Sequence, residues 1–115
     1  MTGIEGPILH LAIESEWQAA VDADEPYDRS TIGVSLAEEG YIHCSFPEQV
    51  AATAERYYAG RDDVIVLVVD PDRLGAPVVV EDLSGSGQSF PHVYGPIPVD
   101  AVVAVEDVAT AAARA

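Results

Sequence analysis

Apolar and polar positions change period several times along the chain, and each change marks an element. Ile8-Leu9-His10-Leu11-Ala12-Ile13 is a short apolar run between Pro7 and Glu14. It predicts a first strand with His10 on the face of Ile8 and Ala12, while Leu9 and Leu11 take the other. Ser15-Glu16-Trp17-Gln18 has the spacing of a capping box, which predicts a helix beginning near Ser15 and ending before Pro26. From Asp22 to Thr31 the chain turns polar. With Tyr27 and Arg29 as its only large side chains suited to recognition, this segment predicts a loop able to lie over a site.

Ser35-Leu36-Ala37-Glu38 repeats the capping spacing, but Gly40 limits any helix there to one turn. In the strand that follows, Tyr41 to Ser45, alternation puts Tyr41, His43 and Ser45 on one face and Ile42 and Cys44 on the other. Ser45-Phe46-Pro47-Glu48 reads as a third cap, with Ser45 as the capping residue of a helix that stops at Gly60. Within it Val50, Thr53, Ala54 and Tyr57 recur at helical spacing and predict the buried stripe. Val64 to Val69 is apolar on both faces and predicts a central strand. Strands at Val78 to Glu81 and Val102 to Val105 complete the set, and the Ser- and Gly-rich segment between Glu81 and Phe90 reads as a mobile flap. The sum is an α+β domain: one small mixed sheet of five or six strands with two main helices.

Length and charge narrow the class. The chain has 115 residues, read as one domain (1–115) with its core at about 8–107 and a fraying tail at 108–115. Five Lys+Arg against 20 Asp+Glu give a net charge of −15, with no lysine, so phosphate backbones would be repelled and sequence-independent nucleic-acid binding is not expected. Against so acidic a background the four arginines inside the domain, Arg29, Arg56, Arg61 and Arg73, draw notice. Cys44 is alone and cannot form an internal disulfide, and no charged leader precedes an apolar stretch, so cytoplasm is the expected compartment. The longest apolar run, Val64 to Val69, is far short of the roughly 20 residues that span a bilayer, and no membrane role is expected.

All three histidines fall in or beside expected strands. His10 taken alone reads as a buried histidine satisfied by a backbone partner. His43 shares its face with Tyr41 and Ser45, a polar stripe that a plain core does not need. His92 sits in Phe90-Pro91-His92-Val93-Tyr94-Gly95-Pro96, where prolines stiffen the backbone around the ring. The histidines lack any His-x-x-x-His or Cys-x-x-Cys pairing, so no metal ligands are assigned, and a metal-dependent hydrolase is only a third reading. His43 and Cys44 point to opposite faces, which argues against a Cys-His nucleophile, and no Gly-x-Ser-x-Gly elbow surrounds Ser45. Glu81, at the end of Val78-Val79-Val80, is placed either to carry a raised pKa or to orient a histidine, and reads equally as a surface Glu at a strand end.

The motifs Gly40-Tyr41-Ile42-His43-Cys44-Ser45 and Phe90-Pro91-His92-Val93-Tyr94-Gly95-Pro96 carry a resemblance, together with His10, Trp17, Glu48-Gln49-Val50, Gly60, Asp70, Leu74-Gly75 and Glu81. From about Ile8 to Val105 the chain resembles the domain-of-unknown-function 952 family. The resemblance implies a compact ADP-ribosyltransferase-like fold, distantly similar to the RNA 2'-phosphotransferases, and NAD or a related nucleotide as substrate, with no cofactor required. By that analogy His10 would orient a ribose, His43 would bond to ribose or phosphate, and Glu81 would stabilise charge at the anomeric carbon. His92, Tyr94, Tyr41, Ser45, Tyr27 and Arg29 would complete the ligand site. No late Gln/Glu-x-Glu motif occurs, and this keeps a non-catalytic binding or protein-interaction module as the alternative.

Overall fold

The protein is described by a computed structural model covering Ile4 and residues 6–115. Strand β1 (Ile8–Ile13) runs into helix α1 (Glu14–Ala23), and β2 (Arg29–Thr31) turns into β3 (Val34–Ser35). The one-turn helix α2 (Leu36–Glu39), strand β4 (Ile42–His43) and helix α3 (Pro47–Tyr58) follow. The second half holds β5 (Val64–Val69), β6 (Val78–Glu81), β7 (Phe90–Val93), β8 (Val102–Glu106) and helix α4 (Val108–Ala112).

Three small sheets replace the expected single one: β1-β5-β8, β2-β3 and β4-β7-β6. The expected central place of Val64–Val69 holds within the first sheet, where β5 pairs antiparallel with both neighbours. Its apolar faces are both covered. Leu9, Leu11, Val66 and Val68 pack with Val50 and Tyr58 of α3 and Ala111 of α4. Ile8, Ala12, Leu67 and Val69 pack with Tyr27, Ile42, Cys44 and Val93, so this face meets the β4-β7-β6 layer.

Two side chains divide β1 from β4. Leu9 and Ser45 exchange both backbone hydrogen bonds, Leu9 N to Ser45 O at 2.8 Å and Ser45 N to Leu9 O at 2.7 Å. The antiparallel ladder would next pair Leu11 with His43. Instead the His43 carbonyl accepts from His10 Nδ1 at 2.7 Å, and the His43 N–H donates to Ser30 Oγ at 3.2 Å. On its other edge β4 pairs with β7, and Cys44 N donates to the Pro91 carbonyl at 3.0 Å. Pro91 has no N–H to return that bond, which holds β4 to two residues.

Several local expectations are corrected. Helix α1 opens at Glu14, near Ser15 as expected, but Ser15 does not cap it: Ile13 is the N-cap and its side chain offers no acceptor, while Glu14 N–H is donated to the Asp63 carbonyl at 2.9 Å. Ser45 does not cap α3: Phe46 is its N-cap, and Gln49 Oε1 accepts the Phe46 N–H at 2.9 Å. The α2 cap is as expected, with Ser35 and Glu38 bonding reciprocally. The buried stripe of α3 is Gln49, Val50, Thr53 and Tyr58, leaving Tyr57 56% exposed. The segment around Tyr27 is no covering loop, since Tyr27 is buried and exchanges backbone bonds with Ile97. At residues 107–114 Asp107 Oδ1 caps α4, Ala111 is buried, and Arg114 forks onto Glu106 at 2.7 and 2.8 Å.

His10 is buried, and its hydrogen placement follows from its partners. A carbonyl only accepts, so Nδ1 carries the ring hydrogen, and Tyr27 Oη donates to Nε2 at 3.1 Å. Burial is the main cause that lowers the His10 pKa to about 4, so the ring is neutral in the fold. An unfolded histidine, with pKa near 6.5, binds a proton that the folded ring refuses. His10 therefore contributes stability at pH above about 6.5 that is lost as pH falls toward about 4, on the order of 3 kcal/mol. His10→Phe should remove this slope from the pH dependence of urea unfolding. It should also cost about 2–5 kcal/mol at neutral pH, by leaving the His43 carbonyl and the Tyr27 hydroxyl unpaired. An unchanged pH profile would show that His10 is not the buried group described.

Candidate functional site

With its backbone held by His10 and Ser30, His43 presents its ring on the side away from the core. The strand alternation read from sequence holds here: Ile42 and Cys44 enter the core, whereas Tyr41 and His43 line a cavity of about 560 Å³. Register brings the second histidine in, because His43 and His92 are directly paired across β4 and β7. On the other edge of β7, Glu81 pairs with Phe90, making it the diagonal neighbour of His92.

The contacts form a chain. His92 Nδ1 lies 2.9 Å from Glu81 Oε2, and His92 Nε2 lies 3.3 Å from His43 Nδ1. Tyr94 Oη donates to the same Glu81 oxygen. Tyr41 stacks on His92 with ring centres 4.1 Å apart and planes 21° from parallel, while Phe90 lies 4.9 Å from the His43 ring centre. Gly95 allows the turn after Tyr94, since a β-carbon there would stand 2.5 Å from Ala76 Cβ. The Tyr94 and His92 hydrogen bonds hold the Glu81 carboxyl below its ordinary pKa, so of the two roles read from sequence the geometry takes the orienting one. Burial, then the neighbouring His92, lowers His43 to about 4.

Not every residue expected at the site reaches it. His43, Glu81, His92 and Tyr41 line the cavity, and Tyr94 braces Glu81. His10 and Tyr27 lie in the core beneath, bonded to each other and outside the cavity wall. Ser45 is buried in the bridge to Leu9 and borders, with His43, a small adjoining cavity of about 10 Å³. Arg29 pairs with Glu16 at 3.6 Å and does not line the cavity. Among the described residues no group of three or more His, Cys, Asp and Glu side chains is arranged to hold a metal ion.

Arg56 was missed. It lies on α3 one turn beyond Thr53, and both line the cavity. Its guanidinium stands 5.4 Å from the ring centre of Tyr57, another lining residue. Arg29, Arg61, Arg73 and Arg114 each pair with a carboxylate of the chain, whereas Arg56 has no such partner among the described residues. The signal in the sequence was faint: an arginine one turn beyond Thr53 and next to Tyr57 of the stripe.

The segment between β6 and β7 closes the cavity. Asp82 gathers it, accepting from Gly87 N at 2.7 Å and Ser86 N at 3.1 Å, and Gln49 Nε2 reaches the Ser89 carbonyl at 2.8 Å. This supposed flap is thus a tied loop. Those backbone bonds are the main cause that lowers the Asp82 pKa.

The fold and site define a small α+β protein with a histidine-lined pocket beside a break between two sheets. The chain belongs to the DUF952 family, described as proteins of unknown function, whose model matches residues 11–105. Its fold is also that of CC0527 from Caulobacter crescentus. The crystal structure of that protein is 30% identical, with a TM-score of 0.74 over 88% of this chain and 84% of that one. A double mutant gives 29% identity and a TM-score of 0.73 over the same shares. The solution NMR structure of CC0527 gives 30% and 0.71, over 88% of this chain and 83% of that one. No curated protein matches the chain.

Asp82→Ala should release the loop while leaving the sheets intact. Amide hydrogen exchange at Ser86 and Gly87 should accelerate several-fold, with exchange in β5 unchanged; equal rates in the two proteins would show that Asp82 does not tie the loop.

Proposed function

We propose that the 560 Å³ cavity binds a nucleotide, NAD or a related ADP-ribose compound, and that the chemistry it supports is group transfer from that ligand. Arg56 carries this reading. In a chain of net charge −15, four of five arginines are neutralised by the protein's own carboxylates, and the one left over lines the cavity. A guanidinium with no carboxylate partner favours a phosphate, which it can hold with paired hydrogen bonds. Tyr41, Tyr57 and Phe90 add aromatic surface suited to a base or nicotinamide ring, and the volume is that of an ordinary small-molecule site. The resemblance to ADP-ribosyltransferases points to the same ligand class.

The roles within that reading differ from those the resemblance implies. His43 and His92 face the ligand, and His10 acts through the His43 backbone. Glu81 is engaged by His92 and Tyr94, so its charge orients those groups and is not free to meet an anomeric carbon. That engagement favours a second reading, nucleotide binding without turnover. Release of nicotinamide from NAD separates the two.

Titration of isotope-labelled protein with NAD, ADP-ribose and nicotinamide should give saturable shifts at His43, His92 and Arg56, with smaller ones at His10. Arg56→Gln should weaken ADP-ribose binding about 10- to 100-fold and leave nicotinamide binding nearly unchanged. No shifts up to several millimolar ligand would overturn the nucleotide reading.

A further inference from the structure

The two pocket imidazoles have four ring nitrogens, and three have partners. His92 Nδ1 meets Glu81, and His92 Nε2 meets His43 Nδ1. The fourth, His43 Nε2, is buried with no protein partner among the described residues. Because the carboxylate of Glu81 only accepts, His92 Nδ1 is a donor. Only one hydrogen can lie between His92 Nε2 and His43 Nδ1. With His43 neutral, that leaves two arrangements: neutral His92 with His43 carrying its hydrogen on Nδ1, or charged His92 with His43 carrying it on Nε2. They differ by one proton gained at one end of the chain.

We propose that Glu81, His92 and His43 form a proton relay in which His43 Nε2 takes a proton from a bound hydroxyl and His92 holds the resulting charge beside Glu81. The hydroxyl O–H bond breaks as His43 Nε2–H forms. In the same step the His43 Nδ1 proton passes to His92 Nε2, while His92 Nδ1–H stays donated to Glu81. No electron changes owner, and His43 is neutral before and after. The advantage is electrostatic. A charge on His43 is opposed by burial, which holds that ring to a pKa of about 4, whereas a charge on His92 lies 2.9 Å from a carboxylate oxygen and under the stacked ring of Tyr41. Among the other groups acting on the chain, Glu39 favours charge on His43, Tyr94 holds Glu81 ionised, and neutral His10 sits behind the His43 carbonyl.

The small cavity limits what can give the proton. The His43 ring borders both the large cavity and the adjoining one of about 10 Å³, which also has Ser30, Thr31, Ser45 and Thr53 in its wall. A space of that size takes about one water-sized group. The proton donor is therefore water or a single hydroxyl of a ligand, and the product is an activated oxygen nucleophile. This deepens the nucleotide reading by naming the acid–base groups of the same site, but its test needs no ligand.

Long-range nitrogen–proton spectra of histidine-labelled protein read the tautomers directly. At neutral pH both His43 and His92 should carry hydrogen on Nδ1. As pH is lowered, His92 should become an imidazolium in the same step in which His43, still neutral, moves its hydrogen to Nε2. In Glu81→Gln that step should require about tenfold more acid, although residue 81 does not touch His43. If that variant does not fold, the wild-type spectra decide alone. His43 carrying its hydrogen on Nε2 at neutral pH, or two independent titrations without a tautomer change, would overturn the relay. A protein that shows the coupled step yet ignores NAD would keep the relay and lose the nucleotide.

Discussion

The hydrogen bond from the His10 ring to the His43 carbonyl decides what the rest of the molecule can do. It takes, together with Ser30, the backbone groups through which β1 and β4 would have continued one ladder. A continuous sheet would hide those groups in a regular pairing. The side-chain bonds instead hold β4 beside β1 at a single bridge, and the pocket opens where the two sheets part. The cost is a buried imidazole and a buried phenol that must satisfy each other, which they do at 3.1 Å. Position in this chain of contacts separates the histidines. His10 works on the backbone from the core side, and His43 and His92 work on the pocket from the other.

Electrostatics sharpen that division. A protein this acidic offers any anion an unfavourable field at long range, so an anionic ligand needs a local exception. Ion pairing within the chain occupies the other arginines and leaves the exception at Arg56, in the wall of the cavity that His43 and His92 also line. The carboxylate nearest that chain, Glu81, is spoken for by two donors, which keeps it ionised and fixes His92 in one orientation. Pocket, cation and relay are thus assembled from short-range arrangements that the bulk charge would oppose.

Much of this was legible in the sequence wherever periodicity and burial agree. The face of His10, the central place of Val64–Val69 and the opposition of His43 to Cys44 all follow from a period of two in short strands. What failed to show was whatever depends on register or on missing donors. Strand β7 carries a proline in the middle of its sheet, against the usual rule, so neither the pairing of His43 with His92 nor the diagonal of Glu81 followed from pattern alone. Alternation assigned His10 to a face without revealing that this face is filled by Tyr27 and the second sheet. Arg29 and Arg56 differ only in which one finds a carboxylate, a property of packing. The alanine-rich end reads from composition as a fraying tail, whereas its contacts, the Asp107 cap, buried Ala111 and the Glu106–Arg114 pair, depend on packing.

A crystal structure of the protein with ADP-ribose bound tests the division of labour most directly. The account predicts a diphosphate oxygen within hydrogen-bonding distance of Arg56, a ribose hydroxyl beside His43, and His10 and Tyr27 still bonded to each other beneath the site. ADP-ribose seated against Arg29 or on the His10 ring, with the Arg56 cavity empty, would contradict it.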